Sequence, residues 1–369
     1  MAALTADGHR ALFVGGCVRN ALLGRPVSDV DIATDARPEA VIALAAAAGL
    51  EPVPTGIGHG TVTVVAEGRP FEVTTFRRDV ETFGRRATVA FTDALAEDAA
   101  RRDFTMNALY ARPDGEVVDP LGGLPDLLAG RVRFVGDPGQ RIAEDYLRIL
   151  RFFRIHAWYG DPAGGLDPDG LAACAAAQDG LAQLSRERVG AELAKLLAAA
   201  DPAPALAAMD ATGILGRLLP GADPRALAPL VHLEQEAGIA PRWQRRLAAL
   251  GWRPEWAQGL RLSRADARAL GAVAASLAED EPPAAAAYRH GIEAAHDAAL
   301  VRAATLGGAL PPHLAPELAR GAAARFPLPA SALGASGPAL GATLRRLETA
   351  WIASDFAITA DELRALARE

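Results

Sequence analysis

The run FVGGCVRNALLGRPVSDVDIAT, residues 13–34, holds three features that could act together on a phosphate. Gly15-Gly16 falls between an apolar run and a segment of helical composition. A phosphate can approach bare backbone there and meet the free N–H groups of a helix start. Arg19, one helical turn in, adds a charged clamp. Asp29 and Asp31 alternate with Val30 and Ile32, so on a strand both carboxylates project from one face. Two carboxylates so placed repel each other unless a cation lies between them. A hard divalent cation suits oxygen ligands, and Mg2+ keeps waters and substrate phosphates as its other ligands. Glu72, in FEVTTFR, becomes a third carboxylate of the group if its strand pairs beside the Asp strand.

Two further clusters carry arginine. In Arg101-Arg102-Asp103-Phe104, a guanidinium is available for a triphosphate or a ribose. In EDYLRILRFFR, residues 144–154, Arg148, Arg151 and Arg154 recur every third residue, with Ile149, Leu150, Phe152 and Phe153 packing behind them. Asp145 and Arg148 stand at i and i+3, neighbours on a helix. A carboxylate accepts and a guanidinium donates. Cytosine and adenine each present an amino donor beside a ring-nitrogen acceptor, whereas guanine and uracil present a carbonyl beside a ring N–H. One Asp–Arg pair can therefore read C and A and reject G and U, by the matched hydrogen bonding that distinguishes base edges.

Other reactive residues read as structural. Cys17 is expected as a small buried side chain and His59 as a turn residue. His296-Asp297 resembles half of a metal phosphohydrolase motif, but further His and Asp ligands at suitable spacing are missing from the sequence.

The elements that must position these groups are legible in outline. Ala11–Val14 predicts a short strand, Cys17–Leu23 a helix stopped by Gly24, and Pro38 the start of an alanine-rich helix ending near Gly49. Thr61–Ala66 and Phe71–Phe76 predict a hairpin around Glu67-Gly68-Arg69-Pro70. Residues 1–130 thus read as α+β, a small mixed sheet with helices. From about Arg141 the chain becomes Ala/Leu/Arg-rich stretches broken by Gly/Pro clusters, the pattern of an all-α array. Phe326–Gly341 is expected as a linker, and Thr359 with Glu362 as a capping box.

The 369 residues are half hydrophobic and carry 45 acidic against 38 basic side chains, a net charge of −7. This excludes a disordered chain and argues against a surface coated in basic residues, though not against a local basic groove. Two cysteines make neither a metal cluster nor a disulfide framework. With no signal-peptide pattern and no apolar run of about 18 residues, a cytoplasmic protein with no membrane association is expected.

GGCVRNALLG…DVD, EVTTFR, RRDFTMNAL, DPLGG and EDYLRILR, in this order and spacing, resemble the class II tRNA nucleotidyltransferase and poly(A) polymerase family. The likeness covers about residues 10–195, including LSRERVGAELAKLL at 184–197. It implies a polymerase-beta-like nucleotidyltransferase head (1–135), then an all-α neck (136–200), body (201–325) and RNA-binding tail (326–369). It implies a CCA-adding enzyme that takes ATP, CTP and the 3′ end of tRNA, with Mg2+ on Asp29 and Asp31 and Glu72 as third carboxylate. No obligate protein partner is expected. Gly16, Arg19, Arg102 and Asp103 would meet the nucleotide. Asp145 and Arg148 would read its base, with Arg151 and Arg154 in support, and DPLGG would lie near the hinge of head and neck. The chain departs from the family at Asn20, where Asp is usual; the amide keeps the hydrogen bond and loses the charge. Poly(A) polymerase, CC-only addition and an inactive RNA-binding protein are the alternatives. The length of Arg77–Ala100, with Arg85 and Arg86, favours full CCA addition, and the intact Asp29 and Asp31 favour catalysis.

Overall fold

Alternating side chains in residues 11–14 and 31–34 build two central strands of one sheet. β1 (Ala11–Val14) and β2 (Asp31–Thr34) pair antiparallel, with Leu12 opposite Ala33. Leu12, Val14 and Ala33 pack to one face with Phe76, Ala108, Tyr110 and Val135. Ala11 and Ile32 pack to the other with Val41, Val62, Val64 and Val73. The period of two thus gives the sheet a core on each side. The computed structural model describes residues 1–83, 86–333 and 337–368.

The chain forms two compact units, Met1–Leu218 and Leu219–Glu369. In the first, β3 (Glu51–Gly56), β4 (Thr61–Ala66), β5 (Arg69–Thr75), β8 (Tyr110–Ala111) and β9 (Val117–Val118) complete a mixed sheet ordered β3-β4-β5-β2-β1-β8-β9. Only β2 and β5 run parallel among the described pairings. A separate antiparallel ribbon joins β6 (Arg77–Phe83) to β7 (Arg86–Phe91). The β4–β5 loop is tighter than expected. Ala66 pairs with Arg69, and Glu67 and Gly68 both take positive φ, 51° and 73°. That is the two-residue turn whose twist matches paired strands, so β5 begins at Arg69 rather than Phe71.

Helices α1 (Ala2–Thr5), α2 (Gly16–Leu22), α3 (Pro38–Ala47), α4 (Leu95–Ala100) and α5 (Leu124–Leu128) lie among the strands in sequence. They are followed by α6 (Pro138–Glu144), α7 (Leu147–Tyr159), α8 (Pro168–Ala176), α9 (Arg186–Leu197), α10 (Ala203–Ala211) and α11 (Ile214–Leu218). The starts are written in the sequence. Asp137 and Asp167 accept from Gln140 N–H and Gly170 N–H, with proline at the first helical position of α6 and α8.

The second unit is helical: α12 (Leu227–Glu236), α13 (Trp243–Ala249), α14 (Pro254–Gly259), α15 (Arg264–Ala278), α16 (Pro283–His290), α17 (Ile292–Leu306), α18 (Leu314–Ala323), α19 (Gly337–Ala353) and α20 (Ala360–Leu366). Its interior holds an ionic cluster. Glu234 accepts from Arg245 at 2.6 Å and from Arg246 at 2.7 Å, and Asp297 accepts from Arg245 at 3.1 Å and from Arg242. Asp297 is therefore a buried ion-pair partner. The expected capping box of Thr359 and Glu362 opens α20. The expected linker is partly ordered into elements: Leu328 is buried, Ala330–Leu333 forms a 3-10 turn, and α19 begins at Gly337.

Candidate nucleotidyltransferase site

The site begins where β1 stops. Gly15 holds φ +73° and ψ −125°, a conformation that L side chains rarely adopt. Its N–H donates to Leu109 O at 3.0 Å, and its carbonyl accepts from Arg19 N–H to open α2. A Cβ on Gly15 would lie 3.4 Å from Nη1 of Arg102, so the turn also makes room for that guanidinium.

Parallel pairing of β2 with β5 sets Glu72 opposite Asp31. Asp29 does not share the strand, contrary to the sequence expectation, because β2 starts at Asp31; Asp29 is exposed just before it and accepts from the Ser28 hydroxyl at 3.1 Å. The three carboxyls still sense one another. Burial pushes the Asp31 carboxyl above the usual range, the charges of Glu72 and Asp29 push it further, and Arg102 opposes them. Among the described residues none donates a hydrogen bond to the carboxylates of Asp31 or Glu72. Crowded, donor-free carboxylates are the ligand set of a hard cation, so Asp29, Asp31 and Glu72 fit a divalent metal.

Arg102 is held by two groups that sequence reasoning missed. Its Nη2 donates to Asp98 at 3.1 Å and its Nε to Tyr110 Oη at 3.1 Å, while Tyr110 donates to Asp98 at 2.7 Å. Burial alone would raise the Asp98 carboxyl, but Arg101 and Arg102 hold it below its ordinary value. The i, i+3 and i, i+4 spacing of Asp98 to Arg101 and Arg102 is the signal that could have found it.

A second network runs through Asp103. Arg151 donates to its Oδ2, with Nε at 2.7 Å, while Asn107 Nδ2 and Phe104 N–H donate to its Oδ1 at 3.0 and 2.9 Å. Burial works against this charge, yet the Arg151 guanidinium and these donors bring the carboxyl down to about 2. Asn107 then accepts from Arg19, which is 8% exposed, donates to Tyr159 Oη at 2.8 Å and lies 3.8 Å from the Tyr159 ring centre. Asn20 Oδ1 accepts from Nε and Nη2 of Arg19 at 3.2 and 3.0 Å, and its amide donates to Pro26 O at 2.9 Å.

Asp145 and Arg148 are close in sequence but are not partners on one helix, which corrects the expectation. Asp145 is extended, φ −153° and ψ 105°, in the break between α6 and α7. Its Oδ1 accepts from Leu147 N–H at 3.1 Å, so it serves the start of α7 from outside, and its Oδ2 accepts from Arg188 of α9 at 2.5 Å. Arg148 donates to Glu144 at 2.5 Å and to Arg141 O at 2.7 Å. Arg154 completes the stripe by pairing with Glu192 at 2.5 Å. The neighbouring Tyr146 ring packs against Gly180, where an added Cβ would lie 2.1 Å from it.

Asp119 in DPLGG accepts from Gly123 and Leu124 N–H at 2.8 and 2.9 Å. Arg77–Ala100 is the β6–β7 ribbon plus α4, rather than a plain loop. Arg85 lies outside the described residues, as does the Arg86 side chain. His59 is exposed in a 3-10 turn and Cys17 is buried, donating to Val14 O at 3.3 Å. No helix among the described residues is long and apolar enough to cross a membrane.

The family model described as "Poly A polymerase head domain" matches residues 11–133. A second, "Probable RNA and SrmB- binding site of polymerase A", matches 165–225. The chain is 43% identical over 192 residues to human CCA tRNA nucleotidyltransferase 1, mitochondrial, a match covering 52% of this chain and 44% of that one. It is 41% identical over 251 residues to the CCA-adding enzyme of Geobacillus thermodenitrificans, covering 68% and 56%. It thus spans about half the length of the curated relatives it matches. The crystal structure of the Bacillus stearothermophilus CCA-adding enzyme in complex with CTP superposes with a TM-score of 0.77 at 30% identity, covering 99% of this chain and 94% of that one.

Proposed function

Given that the chain belongs to the class II tRNA nucleotidyltransferase and poly(A) polymerase family, we propose that it adds C, C and A in turn to the 3′ end of tRNA, using CTP and ATP and releasing pyrophosphate. The observation that carries the reading is the meeting of Asp31 and Glu72 across β2 and β5, without donors, beside the Gly15 turn.

Asp29, Asp31 and Glu72 would hold the divalent cation, which we take to be Mg2+. When bound, it supplies charge neutralisation for the triphosphate and makes the primer hydroxyl a better nucleophile. Gly16 leaves backbone open to the phosphates, and Arg19 and Arg102 bring guanidinium charge to them. The primer 3′ oxygen bonds to the α-phosphorus as the bond to the pyrophosphate leaving group breaks. Asp103, fixed by Arg151 and Asn107, faces the ribose, and Arg154 steadies α7 through Glu192.

Asp145 and Arg148 would read the base. Leu147 N–H and Arg188 orient the Asp145 carboxylate and leave each oxygen a further lone pair for an exocyclic amino group. Glu144 and Arg141 O hold Nη1 of Arg148 and Arg101 O accepts from its Nη2 at 3.4 Å, while its Nε has no protein acceptor among the described residues. Protein groups in fixed orientation thus take the part of a template strand.

The reading also assigns residues 1–135 to a catalytic head, 136–200 to a neck, 201–325 to a body and 326–369 to a tail that binds RNA, in the cytoplasm. The extent of the β6–β7 ribbon favours full CCA addition over CC addition. The deciding experiment offers tRNA lacking its 3′ CCA with CTP alone, ATP alone and both. CC, no addition and CCA, respectively, are expected. Runs of A on ATP alone would instead identify a poly(A) polymerase.

A further inference from the structure

Asp98 is 1% exposed and takes four hydrogen bonds on its two oxygens. They fall into two groups. Oδ1 accepts from Arg77 N–H at 3.3 Å and from Arg101 Nε at 2.8 Å. Oδ2 accepts from Arg102 Nη2 at 3.1 Å and from the Tyr110 hydroxyl at 2.7 Å. Arg77 is the first residue of β6, where the ribbon leaves the sheet. Phe76, just before it, donates its N–H to Thr34 O at the end of β2 and accepts from Thr92 N–H, just after β7. One side of the Asp98 carboxylate therefore holds the root of the ribbon, and the other holds the guanidinium beside the Gly15 turn. That guanidinium does not use its nitrogens alike. Nε goes to Tyr110 and Nη2 to Asp98, while Nη1, which lies nearest the bare Gly15 turn, has no protein acceptor among the described residues.

We propose that Asp98 is a positioning residue that makes the Arg102 guanidinium and the root of the ribbon move as one, with Tyr110 aiming the guanidinium so that Nη1 is left for a phosphate of the incoming nucleotide. This rests on the reading of Arg102 as a nucleotide contact. A carboxylate is planar and its two oxygens turn together about one bond. Asp98 cannot rotate to follow one group of donors without loosening the other. Coupling of this kind is reciprocal. A polyphosphate that fixes Arg102 also fixes Arg77, through a buried side chain that the ligand does not touch.

The probe is inorganic tripolyphosphate added to the full chain, with CTP in parallel. Calorimetry gives the affinity, and NMR gives the hydrogen-exchange rate of the Arg77 amide. The internal reference is the Thr75 amide, two residues away and bonded to Gly60 O instead. In the parent, saturating tripolyphosphate should slow Arg77 by roughly threefold or more beyond any slowing at Thr75. Tyr110→Phe keeps the ring and removes the hydroxyl, and should weaken both ligands on the order of fivefold, by a common factor. In Asp98→Asn the one remaining carbonyl oxygen serves one group of donors and the amide faces the other. Saturating ligand should then leave the ratio of Arg77 to Thr75 exchange unmoved. An Asp98 that only braces the fold predicts lower melting temperatures in both variants, parental affinity in Tyr110→Phe and the parental response at Arg77 in Asp98→Asn; either of the last two results overturns the proposal. If Asp98→Asn does not fold, the parent and Tyr110→Phe decide. A parent that binds tripolyphosphate with no specific response at Arg77 overturns the coupling and leaves Arg102 as a phosphate contact. A parent that binds none overturns both. A parent that binds and responds but extends no tRNA overturns the proposed reaction and leaves this inference standing.

Discussion

Asp31 and Glu72 stand opposite each other on adjacent parallel strands, forty-one residues apart in sequence, and neither carboxylate has a donor among the described residues. Burial and the charge of Glu72 raise the Asp31 carboxyl. The fold therefore carries a repulsion that a cation at the proposed site would relieve. Asp31→Asn should leave the metal-free melting temperature unchanged or higher, while nucleotide addition falls by orders of magnitude. Asp29→Ala and Glu72→Gln should share the loss of activity. Thermal melts with and without Mg2+ provide the check: the cation should raise the parent's midpoint and leave that of Asp31→Asn unmoved. Near-normal turnover of Asp31→Asn would refute the assignment.

Asp145 and Arg148 should govern which nucleotide enters more than how fast a placed one reacts. Alanine at either position should cost roughly 1–3 kcal/mol of discrimination, about five- to 150-fold. Arg188→Ala, at a residue assigned no base contact of its own, should relax selectivity in the same direction by releasing Asp145. Competition among all four nucleotides measures this. Uniform slowing at an unchanged preference ratio would mean the pair is only structural.

Asp103 gives a signed dependence on pH. Its carboxyl is brought down to about 2, so the Arg151 pair stabilises the fold fully above the ordinary carboxylate range and loses that contribution as pH falls toward 2. The contribution at neutral pH is roughly 2 kcal/mol. The melting gap between parent and Asp103→Asn should be widest near pH 7 and narrow steadily below pH 4. A gap constant across that window would exclude the pair as its origin.

In the second unit, Glu234→Gln or Asp297→Ala removes one negative charge from a buried cluster whose guanidinium charges stay. Each should cost about 3–5 kcal/mol, far more than loss of an exposed ion pair. The exposed Asp223–Arg225 pair is the internal control: Asp223→Ala also removes a local turn hydrogen bond, yet should cost well under half as much. Denaturant melts of the full chain compare the two.

The sequence was most informative where the signal is local. The strand at Ala11–Val14, the proline start of α3 and the capping box at Thr359 follow from neighbours within a turn or a pleat. The condition set for Glu72, that its strand pair with the Asp strand, is met by β5 against β2. What stayed hidden is the partner of each arginine. Asp103 meets Arg151 across 48 residues and Arg188 meets Asp145 across 43, spans with no periodicity to read. The break before α7 was hidden too, because Asp145 and Tyr146 are compatible with helix and the tertiary pull of Arg188 is not visible in a window of sequence. In the second unit, alanine fits every helix interior equally well, which blurs boundaries.

Between Arg148 and Tyr159, α7 sets a gauge length. Near one end it carries the guanidinium proposed to meet a base, and at the other the ring against which Arg19 lies. Eleven residues of helix separate them by about 16 Å, and each added residue would turn one end by about 100° relative to the other. One residue inserted or deleted between them would therefore turn Arg148 out of phase with Tyr159 and Arg19 while leaving every one of these side chains in place. The number of residues in this helix matters as much as their chemistry.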